Sequence, residues 1–216
     1  MMNIFAVGDI HGEPAKLKSL IDKLPIENDD KLIFLGDYIN RGDKSFEAVD
    51  YLVELSSQYN CVFLLGNHEA MFINYLCGIF EKEFLFNGGK KVISSYAKHD
   101  WDISPSTDSA KRKIPKKHKL FFNGLRKYYE TDDFIFVHAG IKIGVPMENQ
   151  EIDDLVWSSD FIRSDYEGKT VVHGHYIQPG YVNRKHTINV DTGSGVSGLN
   201  KLTAVKLPDR VFYSQQ

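Results

Sequence analysis

The sequence predicts an α/β protein: a partly parallel, sheet-rich sandwich flanked by helices. Three observations predict it. The first seventy residues repeat a strand–loop–helix rhythm three times, and strands alternating with helices imply βαβ units. From Phe134 onward short β-type runs dominate. With 216 residues, 42% hydrophobic and 25% charged, the chain is long enough to bury a core and has the composition of a globular domain.

Taken in order, the first strand is Ile4–Val7. After its loop, Leu17, Leu20, Ile21 and Leu24 recur at i, i+3, i+4, i+7, one face of a helix. A second strand at 32–35 precedes a helix that Asp43 can cap, with Phe46, Val49, Leu52 and Val53 as its buried stripe. Cys61, read as a small buried residue, opens a third strand at 62–65, and a helix of mixed apolar character follows at 69–79. The rhythm then breaks. Residues from about 77 to 133 hold Asn87-Gly88-Gly89, scattered aromatics and a basic run, and read as a helical insertion beside the cleft. Strands resume at 134–137 and 170–172, and the last two lie at 187–190 and Leu202–Leu207. No repeat or low-complexity linker divides the chain, so residues 1–216 are expected to form a single domain.

The formal charge of −3 gives no global field for nucleic acid or a membrane surface. No apolar stretch approaches the roughly 18 residues that cross a bilayer. Met1-Met2-Asn3-Ile4-Phe5 runs straight into a strand, without a charged segment and long apolar core of the secretory kind. Cys61 and Cys77 make no disulfide framework. A cytoplasmic location is the expectation.

Five short segments place acids, amides and imidazoles just past the apolar runs. They are Gly8-Asp9-Ile10-His11-Gly12, Gly36-Asp37-Tyr38-Ile39-Asn40-Arg41-Gly42, Gly66-Asn67-His68-Glu69, Val137-His138-Ala139-Gly140 and His173-Gly174-His175. Loops at the carboxyl ends of buried strands converge in space, where an α/β protein keeps its site. Asp9 and His11, two apart, can face one cation from an extended loop. Asp37 can bridge two cations through its two oxygens. Asn67 offers a carbonyl oxygen, and His138 and His175 offer imidazole nitrogens. Such N/O ligation without thiolate suits Mn²⁺, Fe or Zn²⁺ rather than Ca²⁺ or a cysteine–zinc site. Two such cations about 3.5–4 Å apart would acidify a shared water and clamp phosphoryl oxygens during in-line attack. Arg41 supplies a planar donor fork suited to phosphate. A lone histidine at a strand end is usually structural, and one Gly-Asp-x-His-Gly can be a mere turn. Five such clusters at five strand ends make coincidence a poor account.

Other patterns carry less. Gly193-Ser194-Gly195-Val196-Ser197-Gly198 fits a dinucleotide fingerprint, but a strand-like run follows where a helix should open. His68-Glu69 begins a zinc-protease pattern, yet Phe72 stands at the second histidine position. The basic run from Lys111 to Lys119 reads first as a solvated face, then as a docking patch for acidic substrates. His99 and His186 are expected to be structural or exposed, and Trp101 and Trp157 to fill core or cleft walls.

The five segments resemble the metallophosphoesterases, specifically the phosphoprotein phosphatase superfamily with its GDxHG, GDxxDRG and GNHE signatures. Phe86-Asn87-Gly88-Gly89, Gly144-Val145-Pro146, Asp154-Leu155-Val156-Trp157 and Asp191-Thr192-Gly193 extend the likeness to its bacterial serine/threonine branch. The resemblance implies a four-layer α/β/β/α fold with a dinuclear centre at strand ends. It implies that Asp9 and His11 hold the first metal, that Asp37 bridges, and that Asn67, His138 and His175 complete the second. It makes His68 the general acid and Arg41 the phosphate grip, with solvent attacking phosphorus directly and no phosphoenzyme. His173 is expected behind the ligands or at the rim.

Two positions depart from that pattern. Asn40 stands where the family usually has an acid; its carbonyl can still accept from His68, but the missing charge should lower the His68 pKa. Activity is then expected to fade at lower pH than in relatives carrying the acid. Ser159 stands where the bacterial branch commonly has a second arginine clamp, and Arg163 is the candidate replacement. The resemblance thus implies a manganese-type phosphatase acting on phosphoserine or phosphothreonine, and possible phosphotyrosine, in phosphoproteins. Hydrolysis of diadenosine tetraphosphate or a related nucleotide with the same metals is the alternative; those hydrolases of the same superfamily also lack the acid, so Asn40 does not rule out catalysis. A catalytically weak binding module that keeps the metals but recruits phosphoproteins is the third reading.

Overall fold

The first strand, β1 (Ile4–Val7), is buried on both faces, and its alternation sets the layers. Phe5 and Val7 point into one apolar cluster, while Ile4 and Ala6 point into another. The computed structural model describes residues 3–163 and 166–216, except the side chains of residues 162 and 163. Beyond β1 the elements run α1 (Pro14–Ile21), β2 (Lys31–Phe34), α2 (Ser45–Gln58), β3 (Asn60–Phe63), α3 (Asn67–Leu76), α4 (Glu81–Phe84), α5 (Lys90–Ala97) and α6 (Lys116–Asn123). Then follow β4 (Tyr129–Glu130), β5 (Phe134–Phe136), α7 (Ile152–Trp157), β6 (Thr170–His173), β7 (Val182–Asn183), β8 (Thr187–Asn189), β9 (Leu202–Leu207) and β10 (Val211–Gln215).

Two five-stranded sheets form, in the orders β10-β9-β1-β2-β3 and β4-β5-β6-β8-β7. In the first, β1 pairs parallel with β2 and β2 with β3, as the strand–helix rhythm requires, while β9 returns antiparallel along the other edge of β1. In the second, β5, β6 and β8 are parallel. Ile4, Ala6, Ile33 and Val205 of the first sheet meet Phe134, Phe136, Val172 and Ile188 of the second in one apolar layer. The outer face of the first sheet is covered by helices through Leu17, Leu20, Val49, Leu52 and Phe72. Leu155 of α7 packs on Ile135 and Val171 of the second sheet. This is the four-layer α/β/β/α arrangement.

The elements explain themselves locally. Pro14 opens α1, where its missing N–H is harmless, and Leu17, Leu20 and Ile21 form the buried face. In α2 the stripe includes Phe46, Val49 and Leu52, with Ala48 and Leu55 beside them. Asp43 does not cap that helix. Lys44 takes the cap position without a side-chain bond, and Asp43 pairs with Lys91 of α5 at 2.9 Å. The carboxylate finds a stronger partner in an ammonium than in two backbone amides. Helix α3 starts two residues earlier than the sequence suggests and ends at Leu76, leaving Ile79 48% exposed. Cys61 is half-buried within β3, and burial pushes its thiol up to about 12. Among the described residues no helix is long and apolar enough to cross a membrane.

Candidate active site

Each expected site residue follows a strand end. Asp9 and His11 come after β1, Asp37 after β2, Asn67 after β3, His138 after β5 and His175 after β6. The first three strands belong to one sheet and the last two to the other, so their loops meet where the sheets abut. Among the described residues nine non-glycine positions have positive φ, and five stand here: His11 (50°), Asp37 (54°), Asn40 (69°), Arg41 (61°) and His175 (62°). That region disfavours residues with a Cβ, so the surrounding structure must impose it. Glu69 does much of this. Its carboxylate accepts backbone N–H bonds from Asp37 (2.8 Å), Tyr38 (2.8 Å) and Ile39 (3.2 Å). Two glycines let the loops close in: a Cβ on Gly66 would run into Asp37 Oδ1, and one on Gly174 into Asp9 Oδ1.

Two triads converge. Ligand atoms of His11, Asp37 and His68 lie within 4.8 Å of one another, as do those of Asp37, His138 and His175. Asp37 belongs to both. Nδ1 of His138 donates to the Leu35 carbonyl at 2.9 Å, and Nδ1 of His11 to the Ile39 carbonyl at 3.0 Å. A carbonyl only accepts, so both rings carry their proton on Nδ1 and turn a bare Nε2 lone pair inward. His11 Nε2 is buried with no hydrogen-bond partner, 3.8 Å from Asp9 Oδ2 and 3.7 Å from Asp37 Oδ2.

The carbonyl oxygen of Asn67 makes the same point. It lies 2.9 Å from His138 Nε2, 3.1 Å from both Asp37 oxygens and 3.2 Å from His175 Nδ1. The crowding of these atoms is repulsive unless a cation sits among them or the amide turns its nitrogen there to donate. Burial, then Asp191, raises the Asp9 pKa well above the usual carboxylate range; burial, then Glu69, does so for Asp37. Burial likewise lowers His11 and His138 well below the usual imidazole range. The donor set fits divalent cations.

His68 is built differently. Its Nδ1 lies 2.5 Å from the amide nitrogen of Asn40, which also donates to the Asn87 carbonyl at 3.3 Å. The Asn87 carbonyl fixes the amide orientation, so Asn40 donates to His68. The expectation that Asn40 accepts through its carbonyl is therefore reversed. His68 keeps its proton on Nε2, which faces Asp37 Oδ2 at 3.8 Å. Burial, then the Arg41 charge, pushes His68 down to about 3. Arg41 has a buried Nη1 without a partner, a donor left for an anion.

Two residues went unnoticed as site members in the sequence. Asp191 is 1% exposed, faces Asp9, and has one carboxylate oxygen with no partner. Glu69 is fully buried, with its carboxyl pushed up to about 7 by burial. A glutamate three residues into a helix after a glycine was the available signal for Glu69. Of the two positions expected for His173 the structure shows the interior one: it is 1% exposed, between the Gly174 carbonyl (3.0 Å) and Thr187 Oγ1 (3.1 Å). The side chain of Arg163 lies outside the described residues.

The basic run is not one solvated face. Arg112 is 8% exposed, ion-paired to Glu81 at 2.9 Å and set over the Tyr75 ring. His118 is buried between Asp50 and Tyr96. Its aromatic neighbours Phe121 and Phe122 sit at i+3 and i+4, a buried stripe masked by lysines. Lys113, Lys116 and Lys119 rim a cavity of about 550 Å³ that Trp101 also lines.

The family of calcineurin-like phosphoesterases matches residues 2–200. The chain belongs to that family. Its members use a dinuclear divalent metal site, and the paired triads sharing Asp37 have that form. Within this metallophosphoesterase family, the chain is 28% identical to a bis(5'-nucleosyl)-tetraphosphatase PrpE of Oceanobacillus iheyensis, over 99% of this chain and 92% of that protein. The PrpE of Anoxybacillus flavithermus is 26% identical, over 94% and 89%. Among solved structures, a putative diadenosine tetraphosphatase superposes with a TM-score of 0.70 at 20% identity, covering 99% of this chain and 92% of that one. A cold-active protein-tyrosine phosphatase of a Shewanella species gives 0.68 at 16%, covering 100% and 81%. These structural likenesses establish the shared fold. The curated relatives bear the tetraphosphatase name, the alternative of the sequence reading, rather than that of a serine/threonine protein phosphatase.

Proposed function

We propose that this metallophosphoesterase hydrolyses the phosphoanhydride chain of dinucleoside tetraphosphates. Asp9, His11 and Asp37 would hold one divalent cation, and Asp37, Asn67, His138 and His175 the other. The nitrogen-and-oxygen set suits manganese, with iron or zinc as substitutes. Bound there, the cations acidify water and neutralise phosphoryl charge. Arg41 binds and orients the phosphate through its unpaired Nη1, and His68 presents the proton on Nε2 to the departing oxygen.

The observation that carries this reading is the contact of the Asn40 amide nitrogen with His68 Nδ1 at 2.5 Å. It keeps the imidazole neutral and gives it no carboxylate to raise its pKa. A serine or threonine alkoxide must be protonated as it leaves, which calls for a charged acid. A nucleoside polyphosphate leaves as a stable anion and needs only a hydrogen-bond donor. The tetraphosphatase names of the relatives support the same substrate class. The test is kcat/KM on diadenosine tetraphosphate beside a phosphoserine peptide, with Mn²⁺ added. The dinucleotide should lead by orders of magnitude; the reverse order would restore the phosphoprotein reading.

A further inference from the structure

Two exposed aromatic side chains near the paired triads are left unused by metal holding and proton transfer. Trp157 ends α7, and its ring stands perpendicular to that of His175, with centroids 5.6 Å apart. Its backbone is pinned, because Tyr176 donates its hydroxyl to the Trp157 carbonyl at 2.5 Å. Yet 44% of the residue is exposed. A large indole fixed against a metal-facing imidazole and still open to solvent offers contact area at small entropic cost.

The second aromatic is Phe86, 91% exposed and next in sequence to Asn87. It is held in an ordered turn, since Asn87 donates from its side chain to the Glu83 carbonyl at 2.8 Å. The carbonyl of the same Asn87 accepts from Asn40, which in turn contacts His68. Phe86 thus sits one residue from the group that fixes the His68 tautomer. An exposed phenyl in a braced turn buries nothing in the free protein. Trp157 adjoins the Asp37–His138–His175 triad, and Phe86 precedes the residue whose carbonyl holds Asn40 against His68 of the other triad.

We infer that Trp157 and Phe86 are the two base-stacking platforms of the substrate site, one for each nucleoside, with the polyphosphate crossing the centre between them. This rests on the tetraphosphate reading above and adds the residues that select for bases. Stacking is tolerant of base identity because every base has a π-face, so the pair would select for two nucleosides without choosing among them.

Two measurements separate this inference from the functional reading beneath it. Trp101 and Trp157 are the only tryptophans, so Trp101→Phe leaves Trp157 as the sole indole emitter. ATP should quench that emission, and inorganic tripolyphosphate should not. In turnover, Trp157→Ala and Phe86→Ala should each raise the KM for diadenosine tetraphosphate about tenfold, the loss expected of one stack. Their kcat should stay within about twofold. Trp157→Phe should recover most of the loss, which a merely structural role at the end of α7 would not predict. A KM unchanged in both alanine variants overturns the platforms while leaving the dinucleotide activity in place. Equal quenching by ATP and tripolyphosphate overturns the Trp157 platform even where the enzyme turns over no dinucleotide, an outcome that would itself retire the functional reading.

Discussion

The amide nitrogen of Asn40 donates to Nδ1 of His68 across 2.5 Å, fully inside the protein. An aspartate in that place would reverse the polarity of the contact: the imidazole would donate from Nδ1 and gain an opposite charge. Asn40→Asp should therefore raise the His68 pKa and carry imidazolium-dependent turnover of a phosphoserine peptide to higher pH. It should also increase turnover of a phosphoserine peptide relative to diadenosine tetraphosphate. A pH–rate profile that does not move would count against the assigned role of His68.

Glu69 links the second and third motifs through the amides of Asp37, Tyr38 and Ile39. Glu69→Ala would strand three buried donors, each worth about 1–3 kcal/mol. We expect at least about 3 kcal/mol of destabilisation in urea melts and a weaker grip on metal. Glu69→Gln, which keeps one acceptor oxygen, should lose less. Equal stability of all three proteins would show that the loop is held by something else.

Asp191 faces Asp9 with an unpartnered oxygen. Carboxylates behind metal ligands typically alter affinity by 10–100-fold. Asp191→Asn should raise the Mn²⁺ concentration that half-restores activity after chelation by about that factor, with little change in thermal melting. No shift in that concentration would remove Asp191 from the site.

His173 gives the metal-free protein a pH signature. Burial pushes it down to about 4 from the 6.5 usual for an imidazole. Between those values the unfolded chain binds the proton first, so stability is fully present above pH 6.5 and falls as the pH drops toward 4. The interval corresponds to about 3 kcal/mol. His173→Gln should flatten that part of the curve in denaturant melts of chelated protein. An unchanged slope would place the acid sensitivity in other groups.

The metal-ligand candidates were legible because each is announced by an apolar run, and the ends of these runs meet where the two sheets abut. Polarity and spacing gathered them, and the family resemblance chose His175 over His173. Side chains whose role depends on a partner distant in sequence were not legible. Asp43 carries the residue type of a helix cap, yet Lys91 claims it from another helix. Arg112 and His118 read as solvated cations until Glu81 and Asp50, 31 and 68 residues away, appear beside them. Asn40 illustrates the finest case. Its identity warned of a missing charge, but the direction of its hydrogen bond depends on the carbonyl of Asn87.

The central claim is a pair of cations sharing Asp37. Metal analysis of the purified, fully loaded protein tests it most directly, with Asp37→Asn measured alongside. We expect two divalent ions per chain, falling to one or none in the variant together with turnover. Full activity with a single ion per chain, or a variant that keeps both metals and its rate, would contradict it.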